Sequence, residues 1–257
     1  MNFNTNTTDI RNLRTRWINV DKDTEKAEQM VSLLNEHGFI DHERFSAVTE
    51  KQLSELGSIL AKMPENYGTH MCGLSHRKLL KETILKDNKP VFILEDDVDI
   101  EESAIKYKIS IPEDADAIYF GISHGDENYS AVDCGNDWLR IKQVFATHAI
   151  LHINPKYSES VVLKIEDAVE RNKPFDVELA YHVQPQFKIY TPRVPFFYQS
   201  DGKNEISIDN QMITQGGTNE IFTRKPLILD TDPRTIELGP NHHRRPYWMK
   251  VQNELRD

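Results

Sequence analysis

The sequence predicts an α/β fold with a mostly parallel central sheet flanked by helices, because strand-like and helix-like segments alternate as far as about residue 200. Residues 90–94, PVFIL, form a continuous apolar run, which is typical of a strand that is covered by helices on both faces. Residues 68–88 carry apolar side chains at helical spacing, and Pro90 prevents this helix from continuing. Ligands of such sheets gather at the carboxyl ends of the strands.

The remaining elements follow from the same patterns. Thr24 is predicted to cap the first helix, and Asn154 with Pro155 to begin a helix that runs to about residue 171. Residues 124–140 are rich in Gly, Asp and Asn and are predicted to form a loop over the site. The other predicted elements are strands at 16–23, 43–49, 115–123, 143–153 and 187–192, and helices at 24–38, 49–63 and 174–186.

Composition favours a soluble globular protein and disfavours several partners. The chain has 257 residues, of which 38% are hydrophobic, and its apolar runs are too short to span a bilayer. Since no secretory signal is visible at the N-terminus, a cytoplasmic location is expected. The formal net charge of −10 gives no long-range attraction to nucleic acid or anionic membranes. An anionic small molecule can still bind through a divalent cation or a local basic patch. Residues 242–245 are a basic stretch of this kind, although a solvent-exposed tail is the simpler interpretation.

The two cysteines, Cys72 and Cys134, are far apart in the sequence, and neither shows metal-ligand spacing. They predict a reducing compartment, with a single disulfide as the alternative. Cys72 is expected to pack in the core.

Three carboxylates, Glu95, Asp96 and Asp97, directly follow the apolar strand. Strand alternation places Glu95 and Asp97 on one side and Asp96 on the other. Two carboxylates on one side of a strand end are hard oxygen ligands suited to Mg²⁺ or Mn²⁺. Taken alone, such a run is better explained as a solvated strand end.

Several well-known site motifs are absent from the sequence. It has no Gly-x-Gly-x-x-Gly turn and no Gly-x-x-x-x-Gly-Lys-Ser/Thr loop, which disfavours dinucleotide enzymes and P-loop NTPases. It also lacks His-Glu-x-x-His and paired Cys-x-x-Cys, which disfavours zinc hydrolases.

Four blocks resemble glycosyltransferase family 25, the lipopolysaccharide and procollagen sugar transferases with a GT-A fold. The blocks are WINVDKDTEK, ERFSAV, GTHMCGLSH and VFILEDDV, and the last two are specific at this order and separation. The resemblance covers roughly residues 14–201. It implies a GT-A (nucleotide-diphospho-sugar transferase) catalytic domain at 1–201 and a C-terminal extension, 202–257, that packs on it.

The resemblance also implies an activity: transfer of a sugar, a hexose or a pentose, from a UDP-sugar to a hydroxyl acceptor, a glycan or lipopolysaccharide, with inversion at the anomeric carbon. A divalent cation, Mn²⁺ or Mg²⁺, would join the diphosphate to the three carboxylates and stabilise the departing group. Asp97 is the first choice for the direct ligand, with Glu95 as its partner and Asp96 as the least certain member. Asn19 and Asp21 would lie near the nucleotide base and ribose.

Other positions are carried over from weaker matches. Asp176 matches an acidic family position and would act as the base, although a helix N-cap is an equally good interpretation. Ser75 and His76 would bind the sugar or diphosphate, or else His76 is a buried structural histidine. Gln199 would approach the site.

Two isolated histidines and three alternative functions complete the prediction. His148 and His152 would share one strand face as metal ligands or, more simply, as structural groups. One alternative function keeps the fold but uses a hydroxylated nucleobase in DNA as acceptor. Another is a non-catalytic, nucleotide-binding domain of transferase type, and a metal-dependent phosphohydrolase is a weaker third. The oligomeric state is not specified by the sequence.

Overall fold

The computed structural model describes residues 7–49, 67–102, 105–122, 130–193 and 195–199, and the account that follows concerns these residues. The strands are β1 (Thr8–Asp9), β2 (Thr15–Asn19), β3 (His42–Ser46), β4 (Val91–Glu95), β5 (Val98–Ile100), β6 (Lys108–Ile109), β7 (Ala117–Tyr119), β8 (Ser130–Gly135), β9 (Trp138–Lys142), β10 (Ala149–His152), β11 (Ile189–Pro192) and β12 (Phe197–Gln199). The helices are α1 (Thr24–Glu36), α2 (Tyr67–Glu82), α3 (Ile84–Asp87), α4 (Pro155–Glu170) and α5 (Phe175–His182), with 3₁₀ turns at Ile10–Asn12 and Gln184–Gln186.

Eight of the described strands form the central sheet, in the order β3-β2-β4-β10-β7-β11-β9-β8. Six of them share one direction, whereas β9 and β10 run the opposite way. The predicted α/β class is confirmed, and the sheet is mixed, with three parallel and four antiparallel neighbour pairs. The GT-A assignment is finer than this topology and stays a prediction.

Strand β4 is buried on both faces, as its continuous apolar run predicts. Val91, Phe92, Ile93 and Leu94 are all 0% exposed. Val91 and Ile93 belong to the hydrophobic cluster that includes α2, α4 and α5, whereas Phe92 and Leu94 belong to the cluster on the α1 side of the sheet. Helical layers on both faces therefore fix the position at which this strand ends.

The carboxyl ends of β2 and β4 lie at one edge of the sheet, because the two strands are parallel and Ile18 pairs with Glu95. Strand β10 is antiparallel to β4 and pairs Ala149 with Leu94, so it begins at this same edge. The chain just before Ala149 therefore reaches Glu95, and the Glu95 N–H donates to the His148 carbonyl over 3.0 Å.

Two helix boundaries differ from the prediction, and a third is confirmed. Asp23, not Thr24, caps α1, because the Asp23 side chain accepts a hydrogen bond from the Lys26 N–H. Residues 68–88 form two helices, since Thr83 leaves helical geometry with φ −117° and ψ −101°. Asn154 caps α4 by accepting from the Lys156 N–H, as predicted.

The predicted loop at 124–140 is wrong for residues 130–140, which form the antiparallel hairpin β8–β9. Asn136 and Asp137 make the turn with φ of 52° and 65°, the left-handed conformation that tight hairpins require and that Asn and Asp tolerate. This hairpin lies at the opposite end of the sheet from β2 and β3, not over the carboxylate edge.

Some predictions fall outside the described residues, namely most of the helix at 49–63, the segment 202–257 and the basic stretch within it. Cys72 and Cys134 are not joined by a disulfide, so that alternative is not borne out. Among the helices in the described ranges, none has the length and apolar character needed to cross a membrane.

Candidate active site

A cleft of about 710 Å³ opens where β2 and β4 end. This volume is within the range of small-molecule sites. Part of its wall is apolar, from Ile18, Val20, Ala47, Val48 and Met71. Six of the predicted site residues line it: Asn19, Asp21, Ser75, Glu95, Asp96 and Asp97.

The three consecutive carboxylates have three separate sets of partners. Strand β4 ends at Glu95, and Asp96 and Asp97 form a turn before β5. The alternation predicted from a continuous strand is therefore wrong beyond Glu95. The orientation of Asp96 and Asp97 is set instead by the groups that surround the turn.

Glu95 is held by groups from α2 and from the segment before β10. Its Oε1 atom lies 3.0 Å from His76 Nε2 and accepts a 2.6 Å hydrogen bond from the Thr147 hydroxyl. Burial by itself raises the pKa of Glu95, but the hydrogen bonds and the charge of His76 outweigh this and lower the pKa below its usual range. Glu95 is therefore ionised at neutral pH.

Asp96 is held by β2 and α1. Its Oδ2 atom accepts a 2.7 Å hydrogen bond from Asn19, and its Oδ1 atom lies 3.4 Å from Lys26 Nζ. The Asn19 amide also donates to the Asp23 carbonyl and accepts from Arg44 Nε over 2.8 Å. Both oxygens of Asp96 therefore already have donors, and the Asn19 side chain, 1% exposed, is fully engaged in positioning them.

Asp21 lies at the rim of the cleft. Its side chain is 66% exposed and pairs with Arg44 over 2.6 Å. The hydrogen bond from Arg44 holds the pKa of Asp21 below its usual range. This carboxylate is accessible to a ligand that enters the cleft, whereas the Asn19 amide is committed to the protein.

Asp97 has fewer partners than its neighbours. Its Oδ2 atom accepts a 3.3 Å hydrogen bond from Gln199 on β12. Its Oδ1 atom is buried and has no hydrogen-bond partner among the described residues. Burial, followed by the charge of Glu95, raises the pKa of Asp97, and the charge of Lys26 offsets part of this. The predicted approach of Gln199 to the site is observed as this contact.

An unpartnered buried carboxylate oxygen fits a hard cation. Mg²⁺ and Mn²⁺ prefer oxygen ligands, and a bound cation would remove the cost of burying this oxygen without a donor. Glu95 Oε1 and both oxygens of Asp96 already accept hydrogen bonds, so Asp97 is the member of the run that best fits a direct ligand.

Ser75 has a structural environment. Its hydroxyl donates to the Met71 carbonyl over 2.7 Å and accepts from the Val48 N–H over 2.8 Å. The side chain is 0% exposed, so it ties α2 to the segment after β3 at the cleft wall. Both of its hydrogen-bonding functions are used within the protein.

His76 lies behind the cleft wall, 2% exposed, in contact with Glu95 and the Phe175 ring. Cys72 lies one helical turn earlier on the same face of α2 and lines the cleft. Ligand atoms of Cys72, His76 and Glu95 all lie within 4.8 Å of one another. Cys72 packs against the hydrophobic core as expected. The prediction that neither cysteine shows metal-ligand spacing is wrong for Cys72, because Cys-x-x-x-His on a helix brings both side chains to one face.

Asp176 lies in the first turn of α5, where Pro174 occupies the cap position. The N-cap interpretation of Asp176 is therefore wrong by two residues. Burial raises the pKa of Asp176, the Val177 and Ala146 N–H groups offset part of this, and the charge of Glu95 raises it further. Asp176 is thus close enough to Glu95 to feel its charge, but it is not among the residues that line the cleft.

His148 and His152 do not form a shared site. His148 Nε2 lies 3.4 Å from the Phe197 carbonyl at the carboxylate edge, whereas His152 contacts Ser158 at the other end of β10. Burial lowers the pKa of both, to about 3 for His152. Both rings are buried and neutral, which agrees with the structural interpretation.

Comparison with known proteins finds a family model that matches part of the chain. Residues 15–131 match the sequence model of glycosyltransferase family 25, described as an LPS biosynthesis protein. This confirms the family resemblance over these residues, which are less than half of the chain. The matched range contains the cleft residues described above but neither Asp176 nor Gln199.

The other comparisons add little. No curated protein matches the chain. Among solved structures, a CTP:phosphocholine cytidylyltransferase from Streptococcus pneumoniae is similar with a TM-score of 0.40 and 12% sequence identity, over 77% of this chain and 96% of that one.

Proposed function

We propose that this chain, whose residues 15–131 carry the glycosyltransferase family 25 pattern, transfers a sugar from a UDP-sugar to a hydroxyl of a glycan or lipopolysaccharide acceptor, with Mn²⁺ or Mg²⁺ and with inversion. The observation that carries the proposal is Asp97, which presents a buried and unpartnered oxygen beside a cleft of nucleotide size.

The charge of the cleft supports a cation-dependent donor. Its wall contains four carboxylates, Asp21, Glu95, Asp96 and Asp97, but one lysine, Lys22, and the nearby cations Lys26 and Arg44 are already paired with Asp96 and Asp21. A diphosphate entering alone would be repelled by this wall. Since a divalent cation reverses the local charge, it makes binding of an anionic donor favourable.

Each residue of the cleft would have a separate role in binding the donor. A cation held by Asp97 would stabilise the negative charge that develops on the leaving diphosphate. Asn19 and Lys26 fix Asp96, so the turn that carries Asp97 is held in place. The exposed carboxylate of Asp21 is available to accept hydrogen bonds from a ribose at the rim, and the apolar wall suits the face of a base.

Asp176 is the proposed base for the acceptor hydroxyl. Its raised pKa makes its carboxylate a better proton acceptor than an exposed aspartate. Removing the hydroxyl proton as the new glycosidic bond forms would leave Asp176 protonated and the acceptor oxygen attached to the sugar. The acceptor would have to reach this half-buried group from the cleft side of Glu95.

The donor is tested by thermal unfolding with UDP, GDP and CDP, each with and without Mn²⁺. One nucleotide should raise the melting temperature, and only when Mn²⁺ is present, because a ligand that binds the folded state alone stabilises it. The absence of a shift with every nucleotide would contradict the proposal.

The base is tested with Asp176→Asn. The variant should keep the Mn²⁺-dependent shift and lose sugar transfer to a lipopolysaccharide acceptor. Asp167→Asn is the matched control, since this surface residue of α4 forms its ion pairs, within the described residues, with Lys164 and Arg171, and it should change neither result. Full transfer by Asp176→Asn would remove Asp176 from the reaction.

A further inference from the structure

The wall of the cleft contains a second group of potential ligands, distinct in chemistry from the carboxylate oxygens. Cys72 and His76 are four residues apart on α2 and lie on one face of that helix. Glu95 approaches the same point from the end of β4, and the three ligand atoms lie within 4.8 Å of one another. A thiol, an imidazole and a carboxylate therefore converge from two rigid elements.

We propose that Cys72, His76 and Glu95 form a site for a thiophilic divalent ion of the zinc type. This site is additional to the hard-cation site at Asp97, and it does not depend on the proposed transferase activity.

The ligand types favour such an ion over Mg²⁺ or Mn²⁺. Thiolate and imidazole ligands select zinc, cobalt or copper, whereas Mg²⁺ prefers oxygen alone. A thiolate, a neutral imidazole and a carboxylate carry two negative charges, which one divalent ion neutralises. The burial of these groups then carries no net charge, which lowers its cost.

The spacing of His76 and Glu95 needs only a small adjustment, whereas the Cys72 sulfur, which lies within 4.8 Å of both ligand atoms, would approach them by up to about 1.2 Å. In a tetrahedral zinc site, the ligand bond lengths place neighbouring ligand atoms roughly 3.4–3.6 Å apart. His76 Nε2 and Glu95 Oε1 are 3.0 Å apart, so an ion between them would separate them by only a few tenths of an ångström. Cys72 and Glu95 line the cleft, which leaves the fourth position open to water or a ligand.

The surroundings also hold the ligands in place. Thr147 donates to Glu95 Oε1 over 2.6 Å, a contact of the kind that orients a metal-ligating carboxylate. The Phe175 ring lies 5.8 Å from the His76 ring and restricts it. Without an ion, burial and the nearby carboxylates raise the pKa of the Cys72 thiol well above its usual range, so ion binding must release a proton.

Cobalt titration tests the site directly. Tag-free full-length protein, stripped of metal and kept reduced, is titrated with Co²⁺ and followed by absorption. A thiolate ligand should produce a sulfur-to-cobalt charge-transfer band that saturates at one ion per chain, which the other histidines of the chain cannot produce. Zn²⁺ should displace the Co²⁺ and abolish the band.

Two variants separate the cysteines. Cys72→Ser should lose the charge-transfer band, whereas Cys134→Ser, on the distant hairpin, should keep it. Asp97→Asn should also keep it, which separates this result from a failure of the proposed nucleotide site. Absence of the band in the wild-type protein, or its persistence in Cys72→Ser, would overturn the proposal.

Alkylation of the wild-type protein provides a test that does not rely on a folded variant. Bound Zn²⁺ should slow the reaction of Cys72 with iodoacetamide more than tenfold, measured by mass spectrometry of the peptides, and should leave Cys134 unchanged. Equal protection of both cysteines, or of neither, would contradict a site at Cys72.

Discussion

The two sides of the cleft satisfy their carboxylates in different ways. On the β2 side, which comprises Asn19, Asp21, Lys26, Arg44 and Asp96, both acids are paired with permanent cations. On the α2 side, which comprises Cys72, His76, Glu95 and Asp97, Glu95 meets the titratable His76, and one buried oxygen of Asp97 has no donor in the described part of the chain. The pairing on the first side holds its residues in place, whereas we propose that the second side binds an ion.

The largest expected effect on stability is that of Glu95→Gln. The carboxylate is buried and accepts hydrogen bonds from His76 and Thr147, so neutralising it should lower the free energy of unfolding by about 3 kcal/mol. Urea denaturation at neutral pH measures the loss. Glu43→Gln is the control, because Glu43 is 71% exposed and its pairing with Arg16 contributes little.

The pH dependence of this effect has a definite sign. Because the folded-state pKa of Glu95 is lowered, its ionised form stabilises the fold above the ordinary glutamate pKa of about 4.3. That stabilisation is lost as the pH falls through the lowered value. The difference between wild type and Glu95→Gln should shrink accordingly in acid, and a difference independent of pH would contradict the assigned ionisation.

Asn19→Ala should have the next largest effect and tests the β2 side. The substitution removes the donor to Asp96 and to the Asp23 carbonyl and the acceptor for Arg44, so we expect a loss of about 2 kcal/mol. Asn35→Ala is the matched control, since Asn35 is exposed and the contact of its side chain with His42 is at the surface. Equal losses in the two variants would mean that the β2 side does not depend on this amide.

Asp97→Asn should have a smaller effect on stability, and one of opposite sign. The folded-state pKa of Asp97 is raised, so in the metal-free protein its contribution to stability falls as the pH rises above about 4. The asparagine variant lacks this penalty and should be more stable than wild type at neutral pH. Urea unfolding in chelator over a pH series tests this, and a variant less stable than wild type at neutral pH would contradict it.

The position of the site was accessible from the sequence, because β4 shows its burial by a continuous apolar run and its end by three acids. The set of partners that each acid contacts could not be predicted from the sequence. It depends on Asn19, His76 and Gln199, which arrive from β2, α2 and β12 through tertiary packing. Strand alternation failed because the chain turns immediately after Glu95.

Two other differences between the sequence prediction and the structure arise from local sequence. Asp23 and Thr24 are adjacent residues that can both cap a helix, and only the geometry of the turn selects Asp23. The β8–β9 hairpin was predicted as a loop because its turn residues, Asn136 and Asp137, are also typical of loops. The strands on either side of them were not recognised.

Calorimetric titration of UDP in the presence of Mn²⁺ tests the central claim, that Asp97 is the carboxylate of the cleft that binds the cation directly. Asp97→Asn should weaken the Mn²⁺-dependent binding more than about tenfold. Asp41→Asn replaces an exposed aspartate just before β3, at the amino ends of β2 and β3 and away from the cleft. This variant should bind as wild type does. Wild-type affinity in Asp97→Asn, with Mn²⁺ still required, would place the cation elsewhere and contradict the account.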